Sequence, residues 1–142
     1  MARGQSLRLE PNATNGCFGC GGANERGMKL AFEQDDEARQ IRGAFRLGPE
    51  YSGGAGFVHG GIIATLLDEA MGKMNRFRGV RAVTAELNIE YLRPVPVGDE
   101  IVVEAREVET KGRNLYHVGE IRNAKGQVLA RGRGRFVEIA KV

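Results

Sequence analysis

Two cysteines in 142 residues cannot build a disulfide framework. No apolar run approaches the roughly 20 residues that span a bilayer, and the opening MARGQSLRLEPN lacks the apolar stretch of a secretory leader. No internal repeat is visible. Charge of one sign is scarce as well: 21 Lys and Arg against 18 Asp and Glu leave a formal net charge of +3. The pI near 9.1 keeps nucleic-acid binding through the RGRGR run (131–135) as an alternative, but the bias is too weak to make it the default. These absences predict a soluble, cytoplasmic chain with no membrane and no nucleic acid among its partners. What remains is ordinary globular material. Hydrophobic residues make up 42% and charged residues 27%, enough for one domain with a real core.

Glycine is the outlier, with 21 residues, about twice the usual share. The excess falls at 19–22, 53–61, 72–79 and 126–134, which marks local demands for bare backbone rather than a low-complexity tract.

Residues 1–16 carry polar and turn-forming types and read as an N-terminal arm or coil, with a single domain over 17–142. MKLAFEQ (28–34) and QIRGAFRL (40–47) read as a hairpin around an acidic turn. PEYSGGAGFVHGG (49–61) is a long Gly-rich loop of the kind that carries function. From Gly60 to about Phe77, Ile62, Ile63, Leu66, Leu67, Ala70, Met71 and Met74 fall on one face of a helix. Four extended segments follow. In the first, Val83, Ala85, Leu87, Ile89 and Tyr91 alternate with Thr84, Glu86, Asn88 and Glu90, so that Thr84 is expected on the polar face. The connectors PVPVGD, ETKGR and NAKGQ are turn chemistry. Two strands, one long helix and four strands in an antiparallel meander predict an α+β fold. The economical arrangement is a sheet of about six strands wrapped around the helix, with edge strands that would pair across a dimer.

Two adjacent carboxylates sit mid-helix. Helical spacing puts Glu69 beside Thr65, Lys73 and Arg76 on a solvated face, with Lys73 as an ion-pair partner. Asp68 points elsewhere, among Gly61, Ala64 and Gly72, where small neighbours leave room for a ligand or a second backbone. Its plainer reading is a half-exposed helix aspartate beside a close-packed interface. At the helix start, Gly60 and Gly61 leave first-turn N–H groups unshielded, a ready site for an oxyanion or a polarised carbonyl. The plainer reading there is a loop that needs two glycines to turn. The eight residues from Gly60 to Asp68 rise about 12 Å. A base and an oxyanion donor must both reach one carbonyl at about 3 Å, so a joint role requires two copies of the chain across a two-fold axis.

GFVHGGIIATLLDEAMG followed by VTAELNIEYLRPVPVGDEI resembles the PaaI-type branch of the hotdog-fold acyl-CoA thioesterases, and CFGCGGANERGMKLAF is similar to that branch's N-terminal segment. The likeness runs from Cys17 to Phe136. It implies the hotdog fold, a curved antiparallel sheet around one long central helix, and a homodimer or homotetramer with active sites at the dimer interface. It also implies hydrolysis of acyl-CoA to free acid and CoA. By that resemblance His59 stands beside the substrate carbonyl and the Gly60 amide polarises it. Gly61 is the second glycine of the turn, Asp68 is nucleophile or general base, and Thr84 orients the water or the carboxylate. Some members place Asn or Gln where this chain has Gly53, so that contact is missing here. Arg93, Lys111 and Arg113 in turns, and Arg131, Arg133 and Arg135 on the last strand, are candidates to hold the CoA phosphates.

Several readings stay open beside these. His59 is equally suited to fixing its loop, and His117 to a cross-strand contact. The three arginines of RGRGR also fit a row of solvated sheet residues. CFGC could be a redox pair or half a zinc site, but there is no second CxxC; the expectation is two reduced, structural cysteines, with no metal and no cofactor. A dehydratase is disfavoured, because no second His/Glu pairing appears near the helix. The alternative to an enzyme is a non-catalytic acyl-CoA-binding hotdog domain. The acyl group, the choice between nucleophile and base, and dimer against tetramer are not assigned.

Overall fold

The computed structural model describes residues 6–142. Residues 1–5 of the expected arm lie outside the described residues. The elements are β1 (Ser6–Leu9), β2 (Phe32–Asp35), β3 (Gln40–Arg46), α1 (Gly60–Lys73), β4 (Val80–Tyr91), β5 (Glu100–Lys111), β6 (Asn114–Asn123) and β7 (Val128–Lys141). They form one antiparallel sheet in the order β1-β2-β3-β5-β6-β7-β4, and α1 packs against β3 through β7. This is the α+β hotdog architecture, one helix held by a wrapping sheet.

The helix enters that sheet by its apolar stripe. Leu66, Leu67, Ala70 and Met71 are fully buried, as are Phe32, Ile41 and Val103 beneath them. Each large side chain contributes about 1.5–3 kcal/mol by leaving water. The glycine cluster of 126–134 acquires its reason here. A Cβ on Gly132 would stand 3.2 Å from Met71 Cε, and one on Gly134 would stand 2.8 Å from the Phe136 ring. Gly119 on β6 meets Leu67 at 3.3 Å in the same way. Bare backbone lets α1 approach the sheet, while Arg131 and Arg133 project, exposed, from the other face.

Four expectations are corrected. The sheet has seven strands, because Ser6–Leu9 pairs with β2 in a segment read as coil; four residues are too few to show a period. The strands after the helix are not one meander: β5, β6 and β7 are, but β4 pairs with β7 at the far edge. The connection from β4 back to β5 is pinned where Val58 N–H donates to the Val95 carbonyl at 2.8 Å. The α-helix ends at Lys73 and tightens into a 3-10 turn, Met74–Arg78, that keeps Met74 buried and stops at Gly79, whose φ of 63° suits glycine. Lastly, β4 contains a register shift between Thr84 and Glu86. No helix among the described residues is long and apolar enough to cross a membrane.

Candidate active site

That register shift decides where Thr84 points. Thr84 lies opposite Phe136 and Leu87 lies opposite Gly134, two partners that share the helix-facing side of β7. Thr84 and Leu87 therefore face α1 together although three residues separate them, and Ala85 is the inserted residue. Strict alternation would have sent Thr84 outward with Glu86 and Asn88. Instead Val83 is the residue left on the outside, half exposed, and Thr84 Oγ1 donates to Asp68 Oδ1 at 2.8 Å. Burial raises the Asp68 carboxyl above its ordinary pKa; the Thr84 bond draws it down, and the Glu69 charge adds to the rise. A partly desolvated, oriented carboxylate is a better base than a solvated one.

The other half of the site is the start of α1. His59 is its N-cap: its Nδ1 accepts from Gly61 N–H at 2.9 Å, and its carbonyl accepts from Ile62 and Ile63. Its own N–H donates to the Tyr51 carbonyl at 2.9 Å, which ties the capping residue's backbone to the preceding loop. Gly53 presses against it closely enough that a Cβ would stand 3.1 Å from His59 Cα. The Gly61 amide is thus already used. The exposed Gly60 amide makes no hydrogen bond among the described residues. Gly60 lines a cavity of about 280 Å³ that also borders Val58, Tyr91 and Arg93. Tyr91 Oη donates to the Gly60 carbonyl at 2.7 Å, tying the end of β4 to the helix start. Three larger hollows, of about 670, 650 and 500 Å³, touch neither Asp68 nor Gly60.

Within one chain, then, β4 holds α1 by two separate contacts. Thr84 near its start holds Asp68, and Tyr91 at its end holds Gly60. Among the described residues β4 pairs only with β7, which leaves its other edge open. Arg93 follows β4 on the Gly60 side. Lys111 and Arg113 flank the β5–β6 turn, which the Asn114–Val137 and Val137–Val83 pairings bring to the Asp68 side.

Residues 55–130 match the family model of the thioesterase superfamily. The chain belongs to that superfamily. It is 32% identical over 111 residues to the acyl-coenzyme A thioesterase THEM4 of Bos taurus, covering 78% of this chain and 45% of that protein. It therefore spans about half the length of the curated relatives it matches first. A crystal structure of a thioesterase superfamily protein superposes with a TM-score of 0.76 at 33% identity, over 82% of this chain and 57% of that one. A Streptococcus mutans protein solved with acetyl CoA shares the fold, with a TM-score of 0.69 at 24% identity over 72% of this chain and 82% of that one.

Other expected site residues of this superfamily chain are partly committed elsewhere. Arg113 donates to the Glu138 carbonyl at 2.8 and 3.2 Å, and Lys111 lies 3.7 Å from Glu109. Arg131 and Arg135 pair with Glu90 and Glu86 at 3.8 and 3.2 Å. Exposed pairs of this kind contribute about 0–1 kcal/mol and release their cations easily. His117 is buried on β6, with Nε2 2.8 Å from Asn75 Oδ1. Tyr91, which holds the Gly60 carbonyl, is not among the expected residues, since no motif marks it.

Glu69 overturns its expectation. It is not a solvated residue paired with Lys73. The CFGCGG loop covers it, with Cys17 Sγ 3.5 Å from Glu69 Oε1 and Gly19 so close that a Cβ would lie 2.5 Å from the Glu69 carboxyl carbon. Burial and then the Glu69 charge push the Cys20 thiol up to about 12, against the pull of a Lys73 hydrogen bond.

Proposed function

We propose that this chain hydrolyses acyl-CoA thioesters to free acid and CoA, at sites shared by two copies joined along β4. The carrying observation is the placement of Thr84–Asp68 and Tyr91–Gly60 at opposite ends of one open edge strand. Two-fold antiparallel pairing of that edge would bring Asp68 of one copy toward Gly60 of the other, bridging a separation that one helix imposes. The acyl-CoA substrate is the chemistry for which THEM4 is named.

In this reading the thioester carbonyl accepts from the free Gly60 N–H, strengthened by the positive end of α1. Thr84 occupies Asp68 Oδ1, so Oδ2 takes a proton from water as the hydroxyl bonds to the carbonyl carbon. The C–S bond then breaks, the thiolate leaves with its electron pair, and the proton on Asp68 passes on to it or to solvent. A thiolate is a good leaving group, which reduces the need for a separate acid. His59 sets the turn that aims Gly60. Arg93 on one side, with Lys111 and Arg113 on the other, supplies cations for the CoA phosphates.

Thiol release from a panel of acyl-CoAs tests the reading. Wild type turns over, and Asp68→Asn loses about 10²–10⁴ of kcat. Acyl-CoA binding without thiol release would favour a binding domain instead, and an unchanged Asp68→Asn would remove the carboxylate from the chemistry.

A further inference from the structure

The cysteines and Glu69 form a cluster that the thioester chemistry does not use. Cys17 Sγ, Cys20 Sγ and a Glu69 carboxylate oxygen all lie within 4.8 Å of one another. Tetrahedral zinc, with Zn–S near 2.3 Å and Zn–O near 2.1 Å, sets ligand-to-ligand edges of about 3.6–3.8 Å. The 3.5 Å between Cys17 Sγ and Glu69 Oε1 already matches such an edge.

The loop is built to present both sulfurs. Gly21 N–H donates to the Cys17 carbonyl at 2.9 Å and Cys17 N–H donates to Asn15 Oδ1 at 2.8 Å, closing a tight turn over α1. Gly19 lets that turn lie against the Glu69 carboxylate, which would have to shift aside for any side chain there. Sequence spacing alone offered half a zinc site. The third ligand comes from a helix position that periodicity assigned to solvent.

We infer that Cys17, Cys20 and Glu69 form a tetrahedral site for a thiophilic divalent cation, zinc by preference, with water in the fourth position. Thiolates select zinc over magnesium or calcium. On binding, each thiol forms a metal–sulfur bond and gives up its proton to solvent. Two thiolates and one carboxylate are then balanced by the cation together with the Lys73 ammonium, one helical turn from Glu69. The site staples residues 17–20 to the middle of α1, one position from Asp68.

Cobalt is the probe. The reduced, chelator-stripped full chain is titrated with Co²⁺ without oxygen. A thiolate-to-cobalt charge-transfer band with tetrahedral d–d bands, saturating at one equivalent and displaced by Zn²⁺, is expected. Cys17→Ser and Cys20→Ser abolish the band while far-ultraviolet dichroism shows the fold retained. Glu69→Gln weakens cobalt binding by more than the roughly 10–100-fold that follows loss of an outer partner. Zinc also protects both thiols from alkylation, read by mass. Reduced thiols that give no charge-transfer band and stay reactive with zinc present would overturn the site. So would octahedral bands, or a Glu69→Gln chain that binds as tightly as wild type.

Discussion

Thr84 holds Asp68 at 2.8 Å because β4 carries one residue more than its partner strand between the Thr84 and Glu86 pairings. The bond is short, oriented and made to a carboxylate, so it is a charge-assisted contact worth about 1.5–3 kcal/mol. Removing it as Thr84→Ala is expected to lower kcat by about 10–100-fold, less than Asp68→Asn does. Thr84→Ser keeps the hydroxyl and should recover most of that loss. Steady-state kcat for the three variants checks the order; a Thr84→Ser chain as slow as Thr84→Ala would show that the methyl, not the hydroxyl, matters.

His59 caps α1 with its ring nitrogen, which separates a stability effect from a catalytic one. His59→Ala releases the Gly61 amide and is expected to cost about 0.5–2 kcal/mol of stability, and His59→Asn, another capping residue, should restore most of it. The urea midpoint reads this directly. Loss of turnover in a fully stable His59→Asn would instead place the imidazole against substrate.

The helix, its apolar face and the order of the elements were legible because a 3.6-residue period over four turns is a strong local signal. The faces of β4 were not. Val83, Ala85, Leu87, Ile89 and Tyr91 read as unbroken alternation, and a bulge at a small residue such as Ala85 leaves that pattern intact while reversing the side on which Thr84 lies. The position of β4 beside β7 depends on pairing some fifty residues away, which no window of sequence reports. Glu69 failed for a related reason: periodicity names the face of a helix, and what covers that face here is a loop from Cys17 to Cys20. Asp68 and Thr84 were legible as a pair only through family resemblance, and their hydrogen bond supplies the physical reason for the pairing.

His117 predicts an acid-sensitive fold. It is 1% exposed, and burial lowers its pKa to about 4, with the Glu107 charge opposing that fall and Arg78 adding to it. In the unfolded chain the same ring takes a proton at about 6.5. Between those values the unfolded state binds the extra proton, so stability is complete above the upper value and falls as pH drops toward the lower one. The full loss from this group is about 3 kcal/mol. Urea midpoints taken at pH values between about 7 and 5 isolate it from the carboxylates. A His117→Gln chain, if folded, should show a flat midpoint across that window.

Gly60 offers the sharpest test of a site shared between copies. It is the first residue of α1, where proline is favoured, and His59 before it has φ −60° and ψ 137°, the extended conformation that proline demands of its predecessor. A Cβ there meets nothing nearer than the Tyr91 hydroxyl at 3.5 Å. Gly60→Pro should therefore fold, yet it deletes the free Gly60 amide, and an amide that polarises the thioester carbonyl is worth about 3–4 kcal/mol of barrier. Alone it should be nearly inactive, as Asp68→Asn should be. Mixed after unfolding and refolding together, the two chains should regain activity, because a mixed dimer joins Asp68 from the first to Gly60 from the second. Random pairing makes half the dimers mixed, each with one complete site of two, so about a quarter of wild-type turnover returns. Recovery near that fraction requires sites built from two copies; no recovery, with mixed dimers confirmed by mass, places both groups of each site in a single chain.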